Sequence, residues 1–481
     1  MTAPTYPTVD LSVVAPIAAV ALTAMLLMIL SLFVPRERSS VLAGVSLLGL
    51  ALALAADFAV WGTPRDSFGG AIVADGLFVL FGAVAIVVAG LTVLLSSSYL
   101  AREGLVPGEY YALVLFSTVG SLILVAARDL IVVLLGLEVL SLSLYVLAGY
   151  ARGRLASEEA ALKYFLLGAF SFGFLVYGSA LVYGATGSTG FARIAAAVAK
   201  TGATPLLLVG VGLLLVGFAF KLSFVPFHMW TPDVYEGAPT AVTAFMSVGT
   251  KAAVFGALLR LITEALPAVR PGWASVLWAL ALLTMILGNV AAITQRNVKR
   301  MLAYSSIAQA GYILVALVAA DRLGVSGVLF YVAAYAFMSL GAFAVVVAVS
   351  RKGDRRVEVS DYAGLGSSNP LLAAAMTLFM LSLAGVPPTA GFLAKLYVFT
   401  AAIQAGYADL AVVGALTSAV ATFYYLWVVV QMYMRPPSAE LKLQPIRVPA
   451  SLVAMLAVAA FFTLQLGILP SVLTRILTPF L

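Results

Sequence analysis

The sequence predicts an all-α membrane protein of about 14 transmembrane helices. Three observations predict it. Of 481 residues, 63% are hydrophobic and only 10% are charged. Apolar runs recur from one end to the other at the length that crosses a hydrocarbon core about 30 Å thick. Charged or Gly/Pro-rich loops punctuate those runs.

The expected spans are 12–34, 41–61, 72–97, 109–127, 129–150, 160–184, 204–227, 239–264, 273–294, 299–320, 325–350, 371–402, 409–433 and 450–470. The first is expected to be a helix of the mature chain rather than a cleaved signal, because "MTAPTYPTVD" holds no basic residue and the run behind it is long enough to span. The seventh carries Pro226 near its end. The twelfth is too long for one straight helix and contains Pro387-Pro388, so it reads as interrupted.

An even number of helices puts both termini on one side. One set of alternate loops carries Arg36, Arg38, Arg102, Arg152, Arg154, Arg296, Lys299, Arg300, Arg351, Lys352, Arg355, Arg356, Arg435, Lys442 and Arg447. The other carries Arg65, Arg128, Arg193, Lys200, Arg260, Arg270, Arg322 and Arg475. The richer set marks the cytoplasmic side, and both termini are expected outside. The run "RKGDRR" at 351–356 reads as an ordinary topology signal, and the net charge of +7 follows from the same loops.

The chain lacks the usual means of redox chemistry. It has no cysteine, which excludes thiolate metal sites and iron–sulfur ligation. One histidine cannot supply bis-histidine haem ligation. Neither a P-loop nor a GxGxxG at a strand–helix junction is present.

Four lysines remain once the loops are counted: Lys163, Lys221, Lys251 and Lys395. A charge at the bilayer centre costs roughly 2.5–3.5 kcal/mol, so each needs a reason. Lys251 lies about 18 Å along its helix and Glu138 about 15 Å along the fifth, both near mid-membrane. Lys221 precedes the Pro226 break and Lys395 follows the Pro387-Pro388 break. A proline frees carbonyls, which are tolerable in mid-membrane only inside protein or beside a wet cavity. A wet cavity is also where an amine exchanges protons. Burial loosens an amine's hold on its proton and a nearby carboxylate restores it. Glu138, Lys221, Lys251 and Lys395 therefore form a candidate proton relay. Glu138 with Lys221 also reads as a static ion pair that fixes packing. Lys163 and His228 are further candidates, one able to snorkel to the interface and the other a plausible structural residue beside a proline.

An internal repeat accompanies these charges. "ARDLIVVLLGLEVLS" (127–141) aligns with "QRNVKRMLAYSSIAQ" (295–309), and "FVPF" (224–227) with "GVPP" (385–388). Both pairs fit two five-helix units, helices 4–8 and 9–13, each with an interrupted helix. Five is odd, so the units would be inverted in the membrane. The expected division is 1–108 (helices 1–3), 109–264 and 265–434 (the two repeats), and 435–481 (the last helix).

"FKLSFVPFHMWTPDVYEGAPTAVTAFMSVGTKAAVFG" (220–256), "LEVLSLSLYVL" (137–147), "NVKRMLAYSSIAQAGY" (297–312) and "GVPPTAGFLAKLYVF" (385–399) resemble the antiporter-like subunits of respiratory complex I, over nearly the whole chain. The resemblance implies a proton-translocating subunit of an NADH-quinone oxidoreductase in the bacterial inner membrane. It implies no cofactor on this chain, with FMN, iron–sulfur clusters and quinone in partner subunits. The implied partners are other antiporter-like subunits and small helical subunits. It also implies roles: Glu138 modulating Lys221, Lys251 at the centre, Lys395 next to the proton exit, and Lys163 on a connecting path. Lysine at 395 and the lack of room for a lateral helix separate the chain from two members of that group. Two rivals stand beside this reading. One is a subunit of a multi-subunit cation/proton antiporter or membrane-bound hydrogenase. The other is a structural spacer that moves no protons.

Overall fold

A computed structural model describes residues 9–35, 38–436 and 446–471. Arg36, Lys442 and Arg475 of the loop count, and both chain ends, lie outside the described residues. The helices follow the expected spans in order. They are α1 (Leu11–Leu30), α2 (Ser39–Ala59), α3 (Gly76–Glu103), α4 (Pro107–Ala126), α5 (Leu130–Ala148) and α6 (Leu155–Thr186). Next come α7 (Phe191–Thr201), α8 (Pro205–Leu222), α9 (Trp230–Gly237) and α10 (Thr240–Ala265). The second half holds α11 (Arg270–Ile293), α12 (Val298–Ala319), α13 (Arg322–Val349), α14 (Pro370–Ala384), α15 (Ala390–Gln404), α16 (Ala408–Met434) and α17 (Ala450–Ile468). Among the described residues thirteen helices are long and apolar enough to cross a membrane, and the shorter α14 and α15 follow one another as an interrupted crossing.

Short polar side chains set many of the starts. Asp10, Asp75, Asp129, Thr204, Asn297 and Asp321 each accept a backbone N–H from the first turn they precede. Such caps satisfy donors that a helix leaves open at its first turn.

Three local features differ from the expectation. The third helix starts at Gly76, because residues 72–74 pair as a strand with 65–67 (β2, Ile72–Ala74; β1, Arg65–Ser67) in a small antiparallel hairpin. The seventh helix ends at Leu222 rather than 227, and the chain resumes helix at Trp230. The connection after α6 contains α7, too short to span and buried along Phe191, Ile194 and Val198. Its apolar residues recur at helical spacing within a polar stretch, a signal masked by the stronger spans on either side.

The core gathers round α10, whose apolar window is entirely buried. It packs against α3, α4 and α13. α12 is almost as enclosed. Glycines bring backbones together at the tightest crossings. A Cβ on Gly136 of α5 would stand 2.7 Å from the Leu124 nitrogen of α4, and one on Gly120 of α4 would stand 2.3 Å from the Leu140 nitrogen of α5. Small residues at membrane helix crossings allow this approach.

The starts of α5 and α12 are held alike. Around Asp129, Leu130 N donates to Thr189 O and Phe191 N to Arg128 O. Around Asn297, Val298 N donates to Val357 O and Val359 N to Arg296 O. The bridge Asn297–Glu358 thus repeats the bridge Asp129–Gly190 in the same arrangement 168 positions further on.

Candidate functional site: buried lysines at two helix breaks

Lys221, Lys251 and Lys395 are 6%, 3% and 5% exposed. Each meets a different set of neighbours.

Lys395 sits in the second turn of α15 and reaches back to the end of α14. Its Nζ donates to Leu383 O at 3.0 Å, Ala384 O at 2.8 Å and Ser418 Oγ of α16 at 2.6 Å. The Tyr312 ring lies 4.9 Å away. Gly385, at φ +89°, turns the chain out of α14 ahead of Pro387 and Pro388. Lys395 therefore covers carbonyls that the break frees.

The break at Pro226 is closed otherwise. Ser223 ends α8 in the left-handed region, and its hydroxyl accepts from Thr231 at 2.6 Å. The Phe220 carbonyl, which takes the Ser223 N–H at 3.1 Å, also accepts from the Trp230 indole at 2.9 Å, and Val225 N donates to Thr284 Oγ1 at 2.9 Å. A tryptophan ties the two half-helices together here, as a lysine does at the second break. Lys221 is left over: its Nζ finds no hydrogen-bond partner among the described residues. It lies 5.2 Å from the Tyr145 ring centroid and 5.0 Å from that of Tyr164, distances at which aromatic faces attract a cation. Tyr164 in turn stacks on Trp230, centroids 4.5 Å apart. Glu138 is half-buried on α5, within electrostatic reach of Lys221, but the described ion pairs do not include the two together.

Lys251 follows a π-helical turn, Met246–Thr250, in the middle of α10. Its Nζ donates to Ser306 O at 2.8 Å and Ser306 Oγ at 2.6 Å. From the neighbouring Ser305 a polar line runs on: Ser305 hydrogen-bonds Tyr425, Tyr425 accepts from Gln309 at 3.1 Å, and Gln309 donates to Leu383 O at 3.1 Å, the carbonyl that Lys395 also uses. The line therefore runs from the neighbour of Lys251's partner to Lys395.

Lys163 and His228 stand apart from this line. Lys163 pairs with Glu159 at 2.7 Å and Asp233 at 2.8 Å, where Arg300 also meets Asp233 at 2.8 Å. This cluster borders a cavity of about 250 Å³. His228 is half-buried beside exposed Pro226 and Met229, and its Nδ1 has no partner among the described residues.

Charges counted as loop signals turn out to anchor the ends of α10. At its start, Asp354 of "RKGDRR" accepts from the Thr240 N–H at 3.1 Å and the Tyr99 hydroxyl at 3.0 Å, and pairs with Arg154 at 2.9 Å and buried Lys299 at 3.6 Å. At its far end, fully buried Arg260 pairs with Asp75 at 2.7 Å and Glu264 at 2.6 Å, and Arg128 joins both acids. The signal in sequence was a lone acid inside a basic run, and an arginine still within the apolar stretch.

Comparison with known proteins agrees with this geometry. Residues 127–421 match the family model described as NADH:quinone oxidoreductase/Mrp antiporter, transmembrane. The chain is 50% identical to the NADH-quinone oxidoreductase subunit N of Trichlorobacter lovleyi, over 98% of this chain and 96% of that one. It is similar to a chain of respiratory complex I from Thermus thermophilus, with a TM-score of 0.81 and 39% identity over 95% of this chain and 97% of the other. A chain of the Mrp complex from a Dietzia species shares the fold alone, at 22% identity and a TM-score of 0.85 over 97% of this chain and 96% of that one. The chain therefore belongs to the NADH:quinone oxidoreductase/Mrp antiporter transmembrane family, and within it to the subunit N group of bacterial multi-pass membrane proteins.

Proposed function

We propose that this chain moves protons across the membrane through Glu138, Lys221, Lys251 and Lys395, within the membrane arm of an NADH-quinone oxidoreductase. The observation that carries the reading is the trio of nearly unexposed lysines in one bundle, two of them at helix breaks. No buried carboxylate pairs with Lys251 or Lys395 among the described residues; both rest on neutral oxygens. A cation so held in a low-dielectric interior stays there at a cost, and changing its protonation state relieves that cost. Electron transfer belongs to partner subunits with FMN, iron–sulfur clusters and quinone. Lys163 and His228 are side branches of this relay, and Lys163 with its ion cluster suits a loading point at one face.

Two further parts of the reading rest on the fold. The matching holds at Asp129 and Asn297, and the two broken helices, support inverted repeats at 109–264 and 265–434, flanked by 1–108 and 435–481. The basic loops support a cytoplasmic position for Arg154 and Arg300, with both termini outside. Glu138 shares a face of α5 with exposed Leu135 and Leu142. A carboxylate facing lipid is costly, so that face suits a neighbouring membrane subunit.

Purification through a tag on this chain in mild detergent tests the assignment. Flavin, iron–sulfur proteins and NADH-dependent quinone reduction are expected to co-purify. Company consisting only of small membrane subunits, with Na⁺/H⁺ exchange and no redox cofactor, would instead support a cation/proton antiporter.

A further inference from the structure

The two carbonyls that hold Lys395 each have a second donor. Leu383 O accepts from Lys395 and also from the Gln309 side-chain amide at 3.1 Å. Ala384 O accepts from Lys395 and also from the Ser418 hydroxyl at 3.1 Å. A carbonyl has two lone pairs, so both bonds form at once. We propose that Gln309 and Ser418 are positioning residues that let Lys395 leave the helix break without orphaning its carbonyls. This rests on the reading of Lys395 as a proton carrier.

An orphaned carbonyl inside a membrane protein is costly, and that cost would tie the lysine to the break. With a standing second donor on each oxygen, the ammonium can turn away, give up its proton and return while both carbonyls stay bonded. Gln309 is fixed for this task. Leu383 O only accepts, so the amide nitrogen must face it, and the amide oxygen takes the Tyr331 hydroxyl on the other side. The second N–H goes to Tyr425. Gln309 is almost wholly buried, and an amide neither gains nor loses a proton near neutral pH, so it positions and does not carry. Tyr425 bonds Ser305, whose neighbour Ser306 holds Lys251. Release at Lys395 is thereby tied to the helix turn that holds the central lysine.

The test uses the assembled complex in inverted membrane vesicles, following quinone reduction and proton uptake together. Gln309→Leu and Ser418→Ala each take the second donor from one of the two carbonyls, Ser418→Ala also removing an acceptor of Lys395 itself, and each is expected to lower the coupled rate about tenfold or more. Ser418→Thr keeps the hydroxyl and is expected to restore the rate. If Gln309→Leu and Ser418→Ala both pump at the wild-type rate, the proposal is wrong. It is equally wrong if Ser418→Thr is as impaired as Ser418→Ala. Should Gln309→Leu fail to assemble, the Ser418 pair decides alone. Lys395→Ala separates the two levels. Normal pumping in that variant removes Lys395 as a carrier, whereas lost pumping beside normal Gln309→Leu and Ser418→Ala removes only the positioning role.

Discussion

A lysine inside a hydrocarbon layer keeps its charge only while oxygens or aromatic faces surround it. Lys395, Lys251 and Lys221 meet that need in three ways: Lys395 on carbonyls of a broken helix, Lys251 on one serine, Lys221 over two tyrosine rings. Their burial was legible in the sequence, because each interrupts a long apolar run. Their neighbours were not, since Ser306, Ser418, Tyr145 and Tyr164 reach them from other helices. Lys395→Arg tests whether loss of the proton matters at that site. Arginine can occupy the same acceptors but stays charged, so proton pumping is expected to fall about tenfold while the complex assembles. Pumping at the wild-type rate would make Lys395 a fixed charge.

Asp354 belongs to the same scale. Burial alone would push its carboxyl up, but the Lys299 and Arg154 charges outweigh that and hold it below the ordinary carboxylate value. A lowered value in the folded state means that the linked stability is present above about pH 4 and fades as pH falls below it. Asp354→Asn leaves buried cations without their partner, at a cost of about 3–5 kcal/mol. Thermal unfolding of the purified complex should show a large deficit for this variant at pH 7 that persists down to about pH 4 and narrows only below it. A deficit that stays undiminished well below about pH 4 would assign the effect to hydrogen bonding alone.

At the scale of elements, the breaks and the close crossings position the site. The sequence located both breaks from their prolines. It did not reveal that Trp230 closes one and Lys395 the other, because that depends on which side chain the second half-helix turns back. The crossing at the second break is tight: a Cβ on Gly391 would stand 1.8 Å from Ser382 O. Gly391→Ala must push α15 away from α14 and carry Lys395 off Leu383 O. The expected result is lower pumping with assembly reduced by the strain of overpacking, about 1–3 kcal/mol, measured as complex yield and proton uptake per quinone reduced. Unchanged uptake per quinone would show that the lysine tolerates displacement. The hairpin and α7 escaped the sequence reading because a three-residue strand and a single amphipathic stretch are weak signals beside twenty-residue apolar runs.

At the scale of the whole molecule, α10 runs through the centre between two ion clusters, Asp354 at one end and Arg260 with Asp75 at the other, with Lys251 between them. Fourteen crossings were legible because membrane spans depend on length and hydropathy, which are local properties. The clusters were not, because Asp75, Arg260, Lys299 and Asp354 look like loop charges until the helices are packed. The arrangement frames Lys251 between the two clusters, and on the proposed relay its protonation is the variable. The most direct measurement is proton uptake in inverted vesicles whose complex carries Lys251→Ala, normalised to assembled enzyme. The account predicts a normally assembled complex whose pumping and coupled quinone reduction fall about tenfold or more. Pumping at the wild-type rate would contradict it and leave this chain a structural spacer.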